Sequence, residues 1–101
     1  MCGAGAGGAA VGGGVDLATA TIIEGVVRRG EAPVEGAYVR LLDATGEFTA
    51  EVPTDAEGQF RFFAAPGRWT VRILAPRATV TDRPVSADRG DRIHLEVALD
   101  G

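Results

Sequence analysis

Beyond its fourteen carboxylates the chain has few reactive side chains: Cys2, His94, Ser86 and Tyr38, like Trp69, are each the only residue of their type among 101, and lysine and asparagine are missing. Cys2 carries the sharpest chemical lead. Removal of Met1 would make it the N-terminal residue, with its thiol beside an α-ammonium group that favours the nucleophilic thiolate. Such a thiol on a glycine-rich arm would be accessible to other molecules. His94 has the residue type of a general base at neutral pH, but it stands between Arg92 and Glu96 on a segment whose alternation points it to solvent. Ser86 lies in no G-x-S-x-G elbow and is expected in a loop. Without lysine, neither Schiff-base chemistry nor a Walker-type phosphate loop is available. One Cys and one His fall short of the four ligands of structural zinc, and the carboxylates follow no metal-ligand spacing. No metal site, no cofactor and no assembled catalytic set is expected, so the reading favours a non-enzymatic protein.

A second group of residues suits recognition better than reaction. Tyr38, Arg40, Arg61, Phe63 and Arg72 all fall at outward positions of their segments. Guanidinium groups and aromatic rings on one exposed surface have the composition of a binding hot spot. That surface exists only if the strands carrying them are neighbours.

The elements that must position these residues are short. Residues 1–16, MCGAGAGGAAVGGGVD, hold seven glycines and four alanines, which offer little to bury and lose much entropy on ordering. Residues 1–18 are therefore expected as a flexible tail carrying Cys2, and residues 19–101 as the folded domain. GAGAGG looks like a phosphate loop only superficially, because no strand precedes it. From Thr19 onward, apolar-rich segments end at RRGEAP, DATG, TDAEG, AAPG, APR and SADRGD, each rich in turn formers. Strands are predicted near 19–28, 37–42, 47–53, 59–64, 68–75, 78–85 and 92–99. Seven short strands at this spacing, with no helical period, indicate an all-β, antiparallel sandwich.

Alternation then assigns the faces. Ala37, Val39 and Leu41 point inward, as do Phe48, Ala50 and Val52, then Phe60 and Phe62, then Trp69, Val71 and Ile73, then Ile93, Leu95, Val97 and Leu99. Ile23 and Val27 are favoured over Ile22 and Val26 for the core side of the first strand. Gly25 between them is expected at a bulge or a close backbone approach.

Charge and composition exclude several partners. Ten basic against fourteen acidic residues leave a formal charge of −4, so no positive field favours nucleic acid or an anionic bilayer. No apolar run reaches the roughly 20 residues of a spanning helix, and the reading expects neither an anchor nor a secretion signal. A lone cysteine closes no internal disulfide, which suits the reducing cytosol. Edge strands of a small sandwich also invite a homodimer.

The run from Ile23 to Val71 carries I-x-G-x-V, P-V-x-G-A-x-V-x-L, T-D-x-x-G-x-F-x-F and P-G-x-W-x-V. In this order it resembles the carboxypeptidase-regulatory-like or prealbumin-like sandwich. More narrowly, MCGA, EFTAEV and FRFFAAPGRWTVR are similar to small actinobacterial sulfur-metabolism proteins of the SseC-like family, whose genes lie beside a thiosulfate sulfurtransferase. The resemblance implies an accessory or binding protein acting with such a sulfurtransferase, or a sulfur carrier through Cys2. An enzyme on the same fold is the remaining alternative. Hydrolases of hydroxyisourate use several histidines and a Tyr-Arg-Gly-Ser-like end, where this chain has VALDG, and intradiol dioxygenase iron takes paired Tyr and His, of which this chain has one each. Adhesin relatives with isopeptide bonds use a lysine that is missing.

Overall fold

The computed structural model describes residues 9–11 and 21–99. Among them are nine strands: β1 (Ala9–Val11), β2 (Thr21–Arg29), β3 (Ala32–Pro33), β4 (Tyr38–Leu42), β5 (Phe48–Pro53), β6 (Gln59–Ala64), β7 (Gly67–Leu74), β8 (Thr81–Ala87) and β9 (Arg92–Leu99). They form two sheets and no helix among the described residues. In the first sheet β6 and β9 flank β2, β1 lies beyond β6, and β3 pairs with the end of β2. The second sheet has the order β5-β4-β7-β8.

The two sheets close on one apolar core because inward and outward residues alternate along each strand. Ile23, Val27, Phe60, Phe62, Val97 and Leu99 come from the first sheet, and Ala37, Val39, Leu41, Val52, Val71 and Ile73 from the second. The rings of Phe60 and Phe62 sit 6.1 Å apart and tilted, a favourable aromatic arrangement that fills the middle of the sandwich. Thr54 is one of two buried polar side chains among the described residues. Its hydroxyl accepts from the Ala37 N–H at 3.0 Å and donates to the Val34 carbonyl at 2.5 Å, fastening the approach to β4 against the end of β5. Asp55 then caps the β5–β6 turn by accepting the N–H groups of Glu57 and Gln59. Gly58 completes that turn at φ 77°, with its backbone against the Val27 carbonyl.

Each of the seven predicted segments overlaps a strand, but several details differ. The sheets are not purely antiparallel: β2 pairs with β9 in parallel, and so does β1 with β6. Alternation reports which face a residue occupies and carries nothing about the direction of a neighbour distant in sequence. Strand β1 falls within the stretch expected as a tail. Its short parallel ladder from Ala9 to Val11 needs only backbone groups, which small residues supply as well as large ones. Phe48, expected in the core, is 61% exposed. The cause is a register shift between Leu41 and Leu42: Leu41 faces Ala50 but Leu42 faces Phe48, so Thr49 is the extra residue of a bulge that carries Phe48 to the outer side. The eighth strand starts at Thr81, three residues later than position 78, because the β7–β8 ladder begins with Ile73 opposite Thr81 and Arg77 turns the chain in the left-handed region. Ser86 consequently lies in β8 and not in a loop. Trp69 is half-buried against the core, donating its indole N–H to the Ala65 carbonyl at 2.9 Å.

Candidate functional site

The outward recognition residues do not share one surface. Tyr38 and Arg40 lie on β4 and Arg72 on β7, in the second sheet, whereas Arg61 and Phe63 lie on β6 in the first. Because these are the outer faces of two packed sheets, the five residues divide between opposite sides of the molecule. Cys2 lies outside the described residues.

On the outer face of the second sheet, strand register lines residues into rows. One row is Pro53, Tyr38 and Leu74, the next Glu51, Arg40, Arg72 and Asp82, and the third Phe48, Leu42, Thr70 and Pro84. Val80 immediately precedes Thr81, the partner of Ile73, at the end of the first row. Tyr38 at 53%, Phe48 at 61% and Val80 at 51% are the large apolar residues most exposed among those described. The face is thus a charged ladder bordered by two largely apolar rows. Sequence reasoning placed Tyr38, Arg40 and Arg72 outward but missed Phe48, whose outward turn depends on the bulge.

The ladder neutralises itself. Arg40 and Arg72 stand directly opposite each other, a repulsive arrangement on adjacent strands. Each is answered from its other side: Arg40 donates to Glu51 at 2.6 Å, and Arg72 makes two bonds of 2.9 Å to the two oxygens of Asp82. The Arg72 hydrogen bond holds the Asp82 carboxyl below its ordinary range. Since the folded-state pKa is depressed, the stabilisation is present above the ordinary carboxylate pKa and is lost as pH falls through the lower folded value. Asp82→Asn is therefore expected to cost about 0.2–1 kcal/mol at neutral pH, the range for exposed pairs. In thermal melts from pH 7 down to pH 2, the gap between variant and wild type should close only below about pH 4. A gap independent of pH would show that the charge of Asp82 contributes nothing.

The outer face of the first sheet is built around Glu24, whose side chain is only 17% exposed. It accepts from Arg61 at 3.1 Å and lies 3.8 Å from both Arg92 and His94. His94 also contacts Glu96 at 2.6 Å, and Arg28 reaches the same carboxylate at 3.3 Å. The His94 contact is the leading cause that lowers the Glu96 pKa. A shallow depression of about 440 Å³ lies beside this network, lined by Val26, Arg28, Glu31, Pro33, Glu57, Gln59, His94 and Glu96. His94 is exposed, as alternation predicts, and is held by two carboxylates of its own sheet. Sequence reading missed Glu24, though a carboxylate in the otherwise apolar run IIEGVV was a visible signal. Of the remaining outward residues of the expected set, Arg61 belongs to this network through Glu24, and Phe63 stands beside it opposite Ile22.

Tyr38 and His94 project from opposite outer faces, so they do not fit a shared iron centre of the intradiol dioxygenase kind. Among the described residues no group of three or more His, Cys, Asp or Glu is arranged to hold a metal. No helix of the described residues is long and apolar enough to cross a membrane.

Comparison with known proteins adds relatives and neighbours of the fold. A family model described as a protein of unknown function, DUF1416, matches residues 2–99. An uncharacterised protein of Mycolicibacterium smegmatis is 56% identical over 77 residues, covering 73% of this chain and 86% of the relative. An uncharacterised protein of Mycobacterium tuberculosis is 58% identical over 62 residues, covering 60% of this chain and 62% of the relative. Among solved structures, catechol 1,2-dioxygenase from Pseudomonas arvilla C-1 superposes with a TM-score of 0.71 at 15% identity, over 100% of this chain and 60% of that one. Hydroxyquinol 1,2-dioxygenase from Pseudomonas putida DLL-E4 gives 0.69 at 11% identity, over 94% of this chain and 60% of that one. At such identity the likeness is one of fold, and the chain spans about 60% of the length of each dioxygenase.

Proposed function

The chain belongs to the DUF1416 family of proteins of unknown function, and from that premise we propose that it is a non-catalytic binding protein that docks a protein partner on the outer face of the β5-β4-β7-β8 sheet. One observation carries the reading. Tyr38, Phe48 and Val80, the most exposed large apolar side chains described, stand on or at the end of the same face, on either side of a ladder whose charges are already paired. Apolar anchors beside an internally neutralised polar stripe can be desolvated by a partner without stranding a charge.

The partner we favour is a thiosulfate sulfurtransferase, on the strength of the sequence resemblance to SseC-like proteins. The rival within that reading is a carrier that takes a persulfide on Cys2, in which case the sandwich serves as the docking body of the carrier. Titration of the full chain with a purified thiosulfate sulfurtransferase, by calorimetry, tests both. Tyr38→Ser and Phe48→Ser should each weaken binding at least about tenfold while leaving the far-ultraviolet spectrum unchanged. Equal binding by both variants and wild type would reject this face, and no binding by wild type would reject the sulfurtransferase. Loss of sulfur transfer to the protein with Cys2→Ser, with binding retained, would favour the carrier.

A further inference from the structure

The four sheet edges formed by the described strands differ in how they are closed. Strand β1 covers the edge of β6 from Arg61 to Phe63. Strand β5 carries a bulge and ends in Pro53, and β8 contains Pro84, devices that spoil an edge for further pairing. Strand β9 has none of them. It runs eight residues, RIHLEVAL, without proline, glycine or register shift, and among the described residues it pairs only with β2.

The orientation of its backbone is readable. The Asp91 carbonyl accepts from the Ile22 N–H at 2.8 Å, so Asp91 faces β2. By alternation, Ile93, Leu95 and Val97 also direct their backbone groups to β2, while those of Arg92, His94, Glu96 and Ala98 point away from the sheet. The free edge is thus a row of outward donors and acceptors on residues whose side chains lie on the outer face. Ile93 and Leu95, on the other face, are only partly buried at the rim of the core.

We infer that this edge is where a second copy of the chain pairs, antiparallel, with His94 opposite the partner's Glu96 and Leu95 on the two-fold axis. Backbone parity requires outward-pointing residues to face each other, which leaves few registers. The proposed one overlaps residues 92–98 and sets His94 opposite a hydrogen-bonding carboxylate, the partner's Glu96, twice over by symmetry. Arg92 then faces the partner's Ala98, and about eight backbone hydrogen bonds form across the axis. On the inner side, Leu95 meets the partner's Leu95 and Ile93 meets the partner's Val97, covering the partly exposed rim of the core. Shifting one way sets Glu96 against the partner's Glu96, which repels. Shifting the other way sets Arg92 against the partner's Glu96, but it shortens the overlap to residues 92–96 and places His94 against the partner's His94. The avoided Glu96–Glu96 contact and the longer overlap therefore select this register.

The test uses the full chain. Sedimentation velocity over a concentration series should give a dimer, and His94→Pro should weaken association at least about tenfold with an unchanged far-ultraviolet spectrum. That substitution removes an N–H that points away from β2, so the intramolecular ladder is spared. In a Cys2→Ser background, Leu95→Cys should form an intermolecular disulfide under mild oxidation. Residues facing each other across the axis at a non-hydrogen-bonded position lie about 4.5 Å apart at Cα, within disulfide reach. Cross-linking through His94→Cys or Glu96→Cys in its place would overturn the register. A monomer at every concentration would overturn the interface.

Discussion

Gly25→Ala is expected to destabilise the protein by at least about 3 kcal/mol, the upper part of the range for overpacked cores. A Cβ on Gly25 would stand 2.3 Å from the Leu95 carbonyl oxygen and 2.8 Å from Cζ of Phe60. The first contact is with backbone, so relief means moving β9 away from β2 and not merely turning a side chain. Gly25 is paired with Phe60 on one side and Leu95 on the other, and lies on the inward side between Ile23 and Val27. The Phe60 ring occupies the space left by the missing side chain, the arrangement by which an aromatic residue covers a strand glycine. Denaturant unfolding of the variant checks this. Stability within about 0.5 kcal/mol of wild type would mean that the close approach of β2 and β9 is not a constraint on the fold.

The second large effect is expected at the ring itself. Phe60→Ala should cost about 3–5 kcal/mol, because the side chain is 1% exposed and its removal leaves a cavity against Phe62 and Gly25. Against a typical total of about 5–15 kcal/mol this brings the domain close to unfolding. Trp69→Ala should cost less, since Trp69 is half-buried and its indole N–H faces a loop carbonyl. The two largest substitutions should also couple. In the Phe60→Ala background the alanine at position 25 loses its clash with the ring but keeps the one with Leu95, so the double variant should be more stable than the sum of the two losses. Strict additivity would place the Gly25 constraint entirely in the β9 backbone.

The particular residues that sequence reasoning read correctly share a property. Val39, Leu41, Phe60, Phe62, Val71 and Ile73 sit in strand stretches free of register shifts, where alternation leads straight to burial. Phe48 fails that rule because one extra residue at a bulge reverses the phase, and nothing in EFTAEV marks the insertion. The Asp55 and Gly58 turn was legible, being a local matter of side-chain hydrogen bonds and a positive φ. The candidate surface was legible only in pieces. That Tyr38, Arg40, Arg61, Phe63 and Arg72 point outward follows from each strand separately. That β4 and β7 are neighbours while β6 lies in the opposite sheet follows from pairings between distant segments.

By itself, then, the amino-acid order determined the all-β class, seven of the strand segments, most of the core and the scarcity of reactive side chains. Each of these depends on residue type and on period-two spacing within a few neighbouring positions. Only the tertiary structure decided that the first and last long strands run in parallel. It alone divided the outward arginines and aromatics between two faces, set Glu24 at the centre of a charge network, and left β9 as an open edge among the described strands. Those outcomes depend on which remote strands exchange hydrogen bonds and in which direction. Closure of a shared core selects that arrangement among many that local patterning permits equally well.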